Sequence, residues 1–253
     1  MLLKKTQRIF FTIISVNFAL FGNKLFAAND LKIITCECPP LSYEVNAKAS
    51  GPAVDIVRTI QKSINSNEKI NIYPWAQGYK QLQSYSNVML FSTTRTAQRE
   101  HLFKWVGPII EKRFSFHAKK GAKIKIDNLE DAKKYKVGVV RNSNNEQFLV
   151  SNGFKNLSVV AKESQNLQML ELGRIDLWYT DTAQCSALMT NYSLKEKIEE
   201  IYVVQKSRSY YAFSKITPDS IVEKWQNAFT HLRNTGVICN ILKKYKLESL
   251  YAD

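Results

Sequence analysis

The chain has 253 residues, with 36 lysines and arginines against 22 aspartates and glutamates, and its formal net charge is +14. A hydrophobic content of 45% with 11% aromatic residues excludes a disordered or low-complexity protein and is sufficient for one large domain or two lobes. The lysines are scattered along the chain without a nucleic-acid-binding motif, so we expect no nucleic-acid partner.

The first residues have the pattern of a secretory signal peptide. A basic start that includes Lys4 and Arg8 precedes an apolar run from Ile9 to Phe21, which ends at Gly22. The run is shorter than the roughly 20 residues of a spanning helix, although a retained membrane anchor is the alternative. We therefore expect residues 1–28 to be cleaved and the protein to reach the periplasm. Because those residues hold four basic residues and no acidic one, the mature chain would carry a net charge of +10.

The cysteines are Cys36, Cys38, Cys185 and Cys239, an even number that permits disulfides in an exported protein. Their spacing leaves the pairing open. The chain has no CxxC motif and only three scattered histidines, so that we expect no metal site and no cofactor.

From residue 31 onward, predicted strands alternate with predicted helices. Apolar and β-branched runs predict strands at 31–35, 70–73, 88–91, 114–116, 135–140, 157–161, 174–179, 200–204 and 210–213. Apolar residues at helical spacing predict helices that begin at 52 and 218, and shorter helices around 79–82, 146–149, 167–172 and 238–245. This alternation predicts an α/β fold.

The stretch after the third predicted strand has the chemistry of a carboxylate site. The buried run at 88–91 continues into Ser92 and Thr94, and Arg95 and Arg99 follow four residues apart. Hydroxyl donors and a planar guanidinium can together bind a carboxylate with bidentate geometry. The alternative is an ordinary strand followed by solvated surface arginines.

Further polar or aromatic residues follow other predicted strands, where α/β sheets usually hold ligands. Glu37 is a candidate cleft residue or simply exposed, and Trp75 is core packing or a platform for an apolar part of the ligand. The segment from Arg141 to Asn144 resembles a general anion-binding loop before a helix. Asp181 either caps the next helix or holds a cation such as an α-ammonium group.

Taken together, short motifs along nearly the whole mature chain resemble the bacterial family 3 extracellular solute-binding proteins, the receptors of polar amino acid uptake. No single motif is specific to this family, but the order and spacing of the whole set are. The motifs are Pro39-Pro40-Leu41-Ser42-Tyr43, Gly51-Pro52-Ala53-Val54-Asp55-Ile56-Val57, Pro74-Trp75, Ser92-x-Thr94-x-Thr96-x-x-Arg99-Glu100, Phe103-Lys104-Trp105-Val106-Gly107-Pro108, Lys136-Val137-Gly138-Val139, Gly173-Arg174-Ile175-Asp176 and Thr235-Gly236.

The resemblance implies a two-lobed periplasmic-binding-protein-like fold of type II, in which each lobe is a sheet flanked by helices. Lobe 1 would comprise residues 29–116 and 208–253, and lobe 2 residues 117–207, with two hinge crossings near 116–117 and 207–208. An amino acid or similar carboxylate would bind between the lobes of a monomer, and closure would present a new surface to an ABC-type permease of the inner membrane.

The resemblance also assigns roles to individual residues. Arg99 matches the family's arginine that clamps the α-carboxylate, and Ser92 and Thr94 match positions that donate hydrogen bonds to the ligand. Asn144 matches a position of the second lobe near a helix N-terminus that also meets the carboxylate. Asp181 matches the acid that holds the α-ammonium group.

Several positions depart from the family pattern or extend it. Trp75 lies near the family's aromatic cover of the ligand side chain, but Gln77 replaces a basic residue that is frequent in relatives with a Pro-Trp segment. Arg95 and Arg141 add positive charge near the expected cleft, and only Glu37 could bind a basic side chain. The sequence therefore predicts a neutral or acidic ligand rather than lysine or arginine.

Two other functions fit the same pattern. Some proteins of this fold resemble cyclohexadienyl or arogenate dehydratases, and here Glu37 would be the general acid, for which its pKa would have to be raised. Alternatively, the chain is a sensor or partner-binding module that has lost transport. The chain has no GxSxG, HExxH or phosphate-binding loop, so we expect a binding protein that is not an enzyme.

Overall fold

The computed structural model describes residues 31–194 and 197–251, and the predicted signal peptide lies outside them. The strands are β1 (Lys32–Thr35), β2 (Tyr43–Val45), β3 (Lys48–Ser50), β4 (Ile70–Ile72), β5 (Val88–Thr94), β6 (Phe103–Lys119), β7 (Val137–Val140), β8 (Leu157–Val160), β9 (Leu177–Asp181) and β10 (Ile198–Ser214). The helices are α1 (Pro52–Ser63), α2 (Trp75–Ser84), α3 (Asn144–Ser151), α4 (Glu163–Glu171), α5 (Thr182–Asn191), α6 (Asp219–Asn234) and α7 (Val237–Lys244). No helix in this part of the chain is long and apolar enough to cross a bilayer.

Eight of the strands form one sheet in the order β4-β1-β5-β10-β6-β9-β7-β8, while β2 and β3 form a separate hairpin. In the first half of the sheet, β1 pairs in parallel with both β4 and β5. In the second half, β7 pairs in parallel with both β8 and β9. The antiparallel pair β6 and β10 joins the two halves, so the sheet consists of two parallel units linked by two strands.

The linking strands β6 and β10 are each 17 residues long. The sequence predicted two strands, at 200–204 and 210–213, where the structure has the single strand β10. The intervening residues from Gln205 to Ser209 are polar and show no apolar alternation, but they pair with β6, with Ser207 opposite Lys112. Backbone pairing with β6 therefore keeps these polar residues in the strand. The side-chain pattern alone does not show this pairing, and it therefore predicted two separate strands.

Each half of the sheet has its own core on both faces. In the first half, Ile33 and Phe91 belong to the cluster under α1 and α6, and their neighbours Ile34 and Leu90 belong to the cluster on the opposite face. Successive residues of each strand therefore point into clusters on opposite faces of the sheet, as in strands that are covered on both faces. In the second half the corresponding clusters include Tyr179 on one face and Trp178 on the other.

The side chains of the two linking strands change from one core to the other over a few residues. On β6, Ile110 packs in the first core and Phe114 in the second. On β10, Val204 packs against the second core and Tyr211 in the first. The residues between these positions therefore belong to neither apolar cluster.

Helix starts position polar side chains at the strand ends. Asp181 is the N-cap of α5, and its Oδ1 accepts a hydrogen bond from the Ala183 N–H at 3.0 Å. Ser143 caps α3, with its hydroxyl accepting from the Glu146 N–H at 3.1 Å. These contacts satisfy helix N–H groups that have no partner within the helix. The capping role that the sequence suggested for Asp181 is therefore present.

Candidate functional site

A cavity of about 460 Å³ lies where the carboxyl ends of strands from both halves of the sheet meet. Residues at or just after the carboxyl ends of β1, β4 and β5 line one side, and residues at or just after those of β7, β8 and β9 line the other. Sites of small ligands have volumes of roughly 300–1,000 Å³, and open α/β sheets hold them beyond the carboxyl ends of strands. The position and size of this cavity are therefore those of a small-molecule site.

The cavity brings together six of the eight residues predicted from the sequence to bind a ligand. Lining positions are occupied by Glu37, Trp75, Ser92, Thr94, Asn144 and Asp181. Arg99 and Arg141 are not among the lining residues.

Ser92 reaches the lining through an irregularity in β5. Its φ of +60° is uncommon for a residue other than glycine. Thr93 pairs with Tyr210 and Leu90 with Ala212, so that two residues of β5 stand opposite Tyr211. This is a β-bulge, which bends a strand and redirects its side chains. Such strained positions concentrate at functional sites.

Arg99 is buried, with only 1% of the residue exposed, and its guanidinium contacts both halves of the molecule. Its Nε donates to Gln147 Oε1 at 3.0 Å and its Nη2 to the Asn142 carbonyl at 3.2 Å, while the Tyr79 ring centroid is 4.7 Å away. Burial lowers the pKa of Arg99 to about 10, which leaves it charged at neutral pH. The role of Arg99 as a carboxylate clamp remains a prediction, since its donors here bind protein groups.

The two other arginines near the cavity lie outside it. Arg141 is exposed, and its backbone N–H donates to the Val160 carbonyl at 2.9 Å. Arg95 forms an ion pair with Glu100 and lies 5.2 Å from the ring centroid of Tyr210. Arg95 thus has the partly solvated environment of a surface residue.

Trp75 is the first residue of α2 and lines the cavity directly after β4. Its ring stacks on Tyr79 with centroids 5.8 Å apart. Its indole Nε1 donates to the main-chain carbonyl of Asn142, in the other half of the sheet's connections, at 2.8 Å. Trp75 therefore serves both as an aromatic wall and as a link between the two halves.

Lys112 is a lining residue that the sequence did not indicate. It lies on β6, and its Nζ is 4.0 Å from Asp181 Oδ2, with 12% and 7% of the two side chains exposed. Burial raises the pKa of Asp181 and lowers that of Lys112, while the charge of each group opposes the shift of the other. Asp181 is therefore already paired, although the 4.0 Å separation exceeds hydrogen-bond distance.

Glu163 is the second lining residue that the sequence did not indicate. It begins α4, and its Oε2 accepts hydrogen bonds from Trp178 Nε1 at 2.7 Å and Asn166 Nδ2 at 3.1 Å. Its Oε1 lies 3.4 Å from the hydroxyl of Thr180. Burial raises the pKa of Glu163, and these donors oppose the shift. Its place directly after a predicted strand, like that of Asp181, was the signal that could have identified it.

Cys36 and Cys38 form a disulfide, and both line the cavity together with Glu37 between them. The Oε2 of Glu37 accepts a hydrogen bond from the Glu44 N–H at 3.1 Å. Burial raises the pKa of Glu37, and this hydrogen bond opposes the rise. The pairing that the sequence left open is thus settled for these two cysteines, while Cys185 and Cys239 are free thiols.

In the described ranges 31–194 and 197–251, no group of three or more histidine, cysteine, aspartate or glutamate side chains is arranged to hold a metal ion. The charged groups that line the cavity are the ammonium groups of Lys112 and Lys162 and several carboxylates, which recognise ligand groups of opposite charge.

Known structures share this architecture. A histidine kinase sensor domain with similarity to periplasmic binding proteins matches with a TM-score of 0.81 and 17% identity, over 89% of this chain and 99% of that one. The arginine-, lysine-, histidine-binding protein ArtJ of Geobacillus stearothermophilus matches with a TM-score of 0.74 and 20% identity, over 84% and 94% of the two chains. The GluR0 ligand-binding core of Nostoc punctiforme, in complex with L-glutamate, matches with a TM-score of 0.75 and 18% identity, over 86% and 100%.

At these identities the matches show the fold, and the type II periplasmic-binding-protein-like α/β fold predicted from the sequence is confirmed. No curated protein matches the chain. The sequence profile of the bacterial extracellular solute-binding proteins, family 3, matches residues 31–248, which confirms the resemblance inferred from the motifs. The chain belongs to the bacterial extracellular solute-binding proteins, family 3.

Proposed function

We propose that the protein captures a small amino acid or similar carboxylate between two lobes and delivers it for ABC-type uptake, without catalysis. One observation carries this proposal: strand ends from both halves of the sheet line a single cavity that contains Thr94, Trp75, Asn144 and Asp181. A ligand there would touch both halves, and binding would favour their closed arrangement.

β6 and β10 each pass from one hydrophobic core to the other, and this supports a hinge where they cross between the lobes. With lobe 1 at residues 29–116 and 208–253 and lobe 2 at 117–207, the crossing predicted at 207–208 falls between Val204 and Tyr211. The packing of Ile110 and Phe114 in different cores favours a first crossing at 111–113, at least three residues before the one predicted at 116–117. Residues that belong to neither core can change their backbone angles at little cost in packing.

Arg99 fits the role of carboxylate clamp because its present partners are replaceable. Two of its acceptors, the Asn142 carbonyl and Gln147 Oε1, belong to the second half of the molecule and would move away when the cavity opens. A ligand carboxylate would then offer two charged acceptors in place of two neutral ones, and charge-assisted hydrogen bonds are about twice as strong. Asp181 would receive the α-ammonium group.

Export and transport complete the proposal. The signal-peptide pattern at residues 1–28 supports the periplasm, and membership in an extracellular solute-binding family supports delivery to an inner-membrane permease by a monomer.

The test is a thermal-shift screen of the purified mature protein against amino acids and small organic acids, followed by calorimetry. A ligand that binds only the folded state raises the melting temperature. Arg99→Ala should then weaken binding by about 2–5 kcal/mol, the usual loss when one partner of a desolvated charge pair is removed. Arg95→Ala, four residues away, is the matched control and should leave the affinity unchanged.

Two outcomes would contradict different parts of the proposal, the function itself and the role of Arg99. If no amino acid or carboxylate binds, the function is wrong. If a ligand binds equally well to Arg99→Ala, the function stands but the clamp is misassigned. Circular dichroism of Arg99→Ala and of Arg99→Lys separates loss of binding from loss of folding.

Glu37 provides the one observation that favours a catalytic alternative, since a raised pKa is what a general acid requires. However, the Glu44 N–H stabilises the ionised form of Glu37. Incubation with prephenate or arogenate distinguishes the two functions. Aromatic product formed by the wild type, and not by Glu37→Gln, would establish catalysis.

A further inference from the structure

The lining of the cavity carries an excess of negative charge. Its charged members are the carboxylates of Glu37, Glu44, Glu163 and Asp181 and the ammonium groups of Lys112 and Lys162. The acids therefore exceed the lysines by two. If the buried guanidinium of Arg99 is added, the acids still exceed the basic groups by one. Arg95 and Arg141 are not counted, because Arg95 is paired with Glu100 and Arg141 is exposed outside the cavity.

The excess is unevenly distributed. Asp181 has Lys112 as its ion-pair partner at 4.0 Å. Glu163, by contrast, has only neutral donors, and no lysine, arginine or histidine nitrogen of the described residues lies within 4.0 Å of its carboxylate. Lys112 is near enough to stabilise both acids electrostatically, so two carboxylates share one ammonium group.

The carboxylate of Glu163 also has unused acceptor capacity. An ionised carboxylate offers about four lone-pair sites. Trp178 and Asn166 both donate to Oε2, whereas Oε1 has only the long contact to the Thr180 hydroxyl at 3.4 Å. A partly buried carboxylate without an ion-pair partner of its own is costly, and a cationic ligand group would offset that cost.

We infer that the ligand carries a net positive charge, as an amino acid with a basic side chain does, and that Glu163 is the residue that selects this charge. The inference rests on the proposed function and specifies its ligand class. It reverses the neutral or acidic ligand predicted from the sequence, because that prediction found no acid for a basic side chain other than Glu37. The structure adds Glu163 to the same cavity.

Two sources of positive charge are distinguishable. A basic amino acid also has a carboxylate for Arg99, whereas a diamine offers cationic groups alone. Lysine and cadaverine differ only in this carboxylate, and arginine and agmatine form a second such pair. We expect the amino acid of each pair to bind more tightly.

The decisive comparison is between L-lysine and L-norleucine, which share a four-carbon chain but differ in the terminal ammonium group. Calorimetry on the wild-type mature protein should show lysine, arginine or ornithine binding at least about tenfold more tightly than norleucine, glutamine or glutamate, since tenfold corresponds to one good charge interaction. Glu163→Gln should weaken binding of the basic ligand about 10- to 100-fold and leave norleucine nearly unaffected. A purely structural role of Glu163 would weaken both ligands alike.

The matched control is Glu171→Gln on the same helix, where Glu171 pairs with Lys197 away from the cavity. This variant should bind as the wild type does. Tighter binding of glutamine, glutamate or norleucine than of lysine by the wild type would overturn the inference and leave the proposed amino-acid-binding function intact. Equal binding of lysine and cadaverine would uphold the charge selection and contradict the carboxylate clamp, and absence of binding by every ligand would overturn both proposals.

Discussion

The indole Nε1 of Trp75 donates a 2.8 Å hydrogen bond to the main-chain carbonyl of Asn142, 67 residues further along the chain. Trp75 follows β4 and Asn142 follows β7, so that the bond links the two halves of the sheet. Arg99 Nη2 donates to the same oxygen at 3.2 Å. One carbonyl thus accepts two hydrogen bonds from the opposite half of the sheet, and these bonds hold the two halves together at this point.

Trp75→Phe is expected to shift the ligand-free protein towards an open arrangement. Phenylalanine keeps an aromatic ring beside Tyr79 but lacks the indole N–H, and a hydrogen bond of this kind contributes about 1 kcal/mol. That change alters a closed-to-open ratio about fivefold. The radius of gyration of the ligand-free protein, measured by small-angle X-ray scattering, should therefore increase.

Trp105→Phe is the matched control for this measurement. Trp105 Nε1 also donates to a main-chain carbonyl, that of Glu100 at 3.1 Å, but both residues lie in the first half of the molecule. Its substitution should leave the radius of gyration unchanged. An equal response of both variants would show that the Trp75 bond does not link the halves in solution.

The sequence predicted the residues of the site where a single strand end was enough to locate them. Trp75 and Asp181 follow apolar runs whose ends are visible in the pattern. Lys112 was missed because it lies within β6, where the facing direction depends on register along a 17-residue strand with several register shifts. Glu163 also follows a predicted strand, at 157–161, but it was missed because two of the donors that hold its carboxylate, Trp178 and Thr180, come from the next strand.

The Cys36–Cys38 disulfide is expected to matter more for ligand binding than for stability. It closes a loop of only three residues, so the chain-entropy contribution is about 1–2 kcal/mol, less than that of a long loop. Both cysteines and Glu37 line the cavity, however, so that loss of the disulfide would disturb the position of Glu37 there.

A double Cys36→Ser, Cys38→Ser variant should lose several-fold in ligand affinity in calorimetry and retain a cooperative thermal transition. Cys239→Ser, which removes a free thiol away from the cavity, should change neither, and an unchanged affinity in the double variant would contradict the prediction.

His117 is expected to make the stability fall as the pH falls. It is 2% exposed, and burial lowers its pKa from 6.5 to about 4. Between these values the unfolded chain binds a proton that the folded chain does not, so acidification favours unfolding by roughly 3 kcal/mol in total. The carboxylates of Glu163 and Asp181 in the cavity have raised pKa values and contribute with the opposite sign. The measurement is therefore the difference in urea-unfolding free energy between the wild type and His117→Asn from pH 7 to pH 4, and parallel curves would refute the prediction.

Gly138→Ala is expected to destabilise the protein and to weaken the binding of a basic ligand. A methyl group on Gly138 would lie 2.6 Å from both Asn166 Oδ1 and Ile175 Cδ1, so that these buried side chains must move, at a cost of about 1–3 kcal/mol in unfolding free energy. Asn166 donates to Glu163, and its displacement would disturb that carboxylate. Gly78→Ala is the control, since a methyl group there meets Leu90 and Ile34 at 3.6 and 3.7 Å, which is ordinary contact, and alanine favours the helix α2 by up to about 1 kcal/mol. Urea denaturation should thus show a lower unfolding free energy for Gly138→Ala and a higher one for Gly78→Ala. A Gly138→Ala variant as stable as the wild type would contradict the prediction, since the packing between β7 and α4 would then accommodate the methyl group without cost.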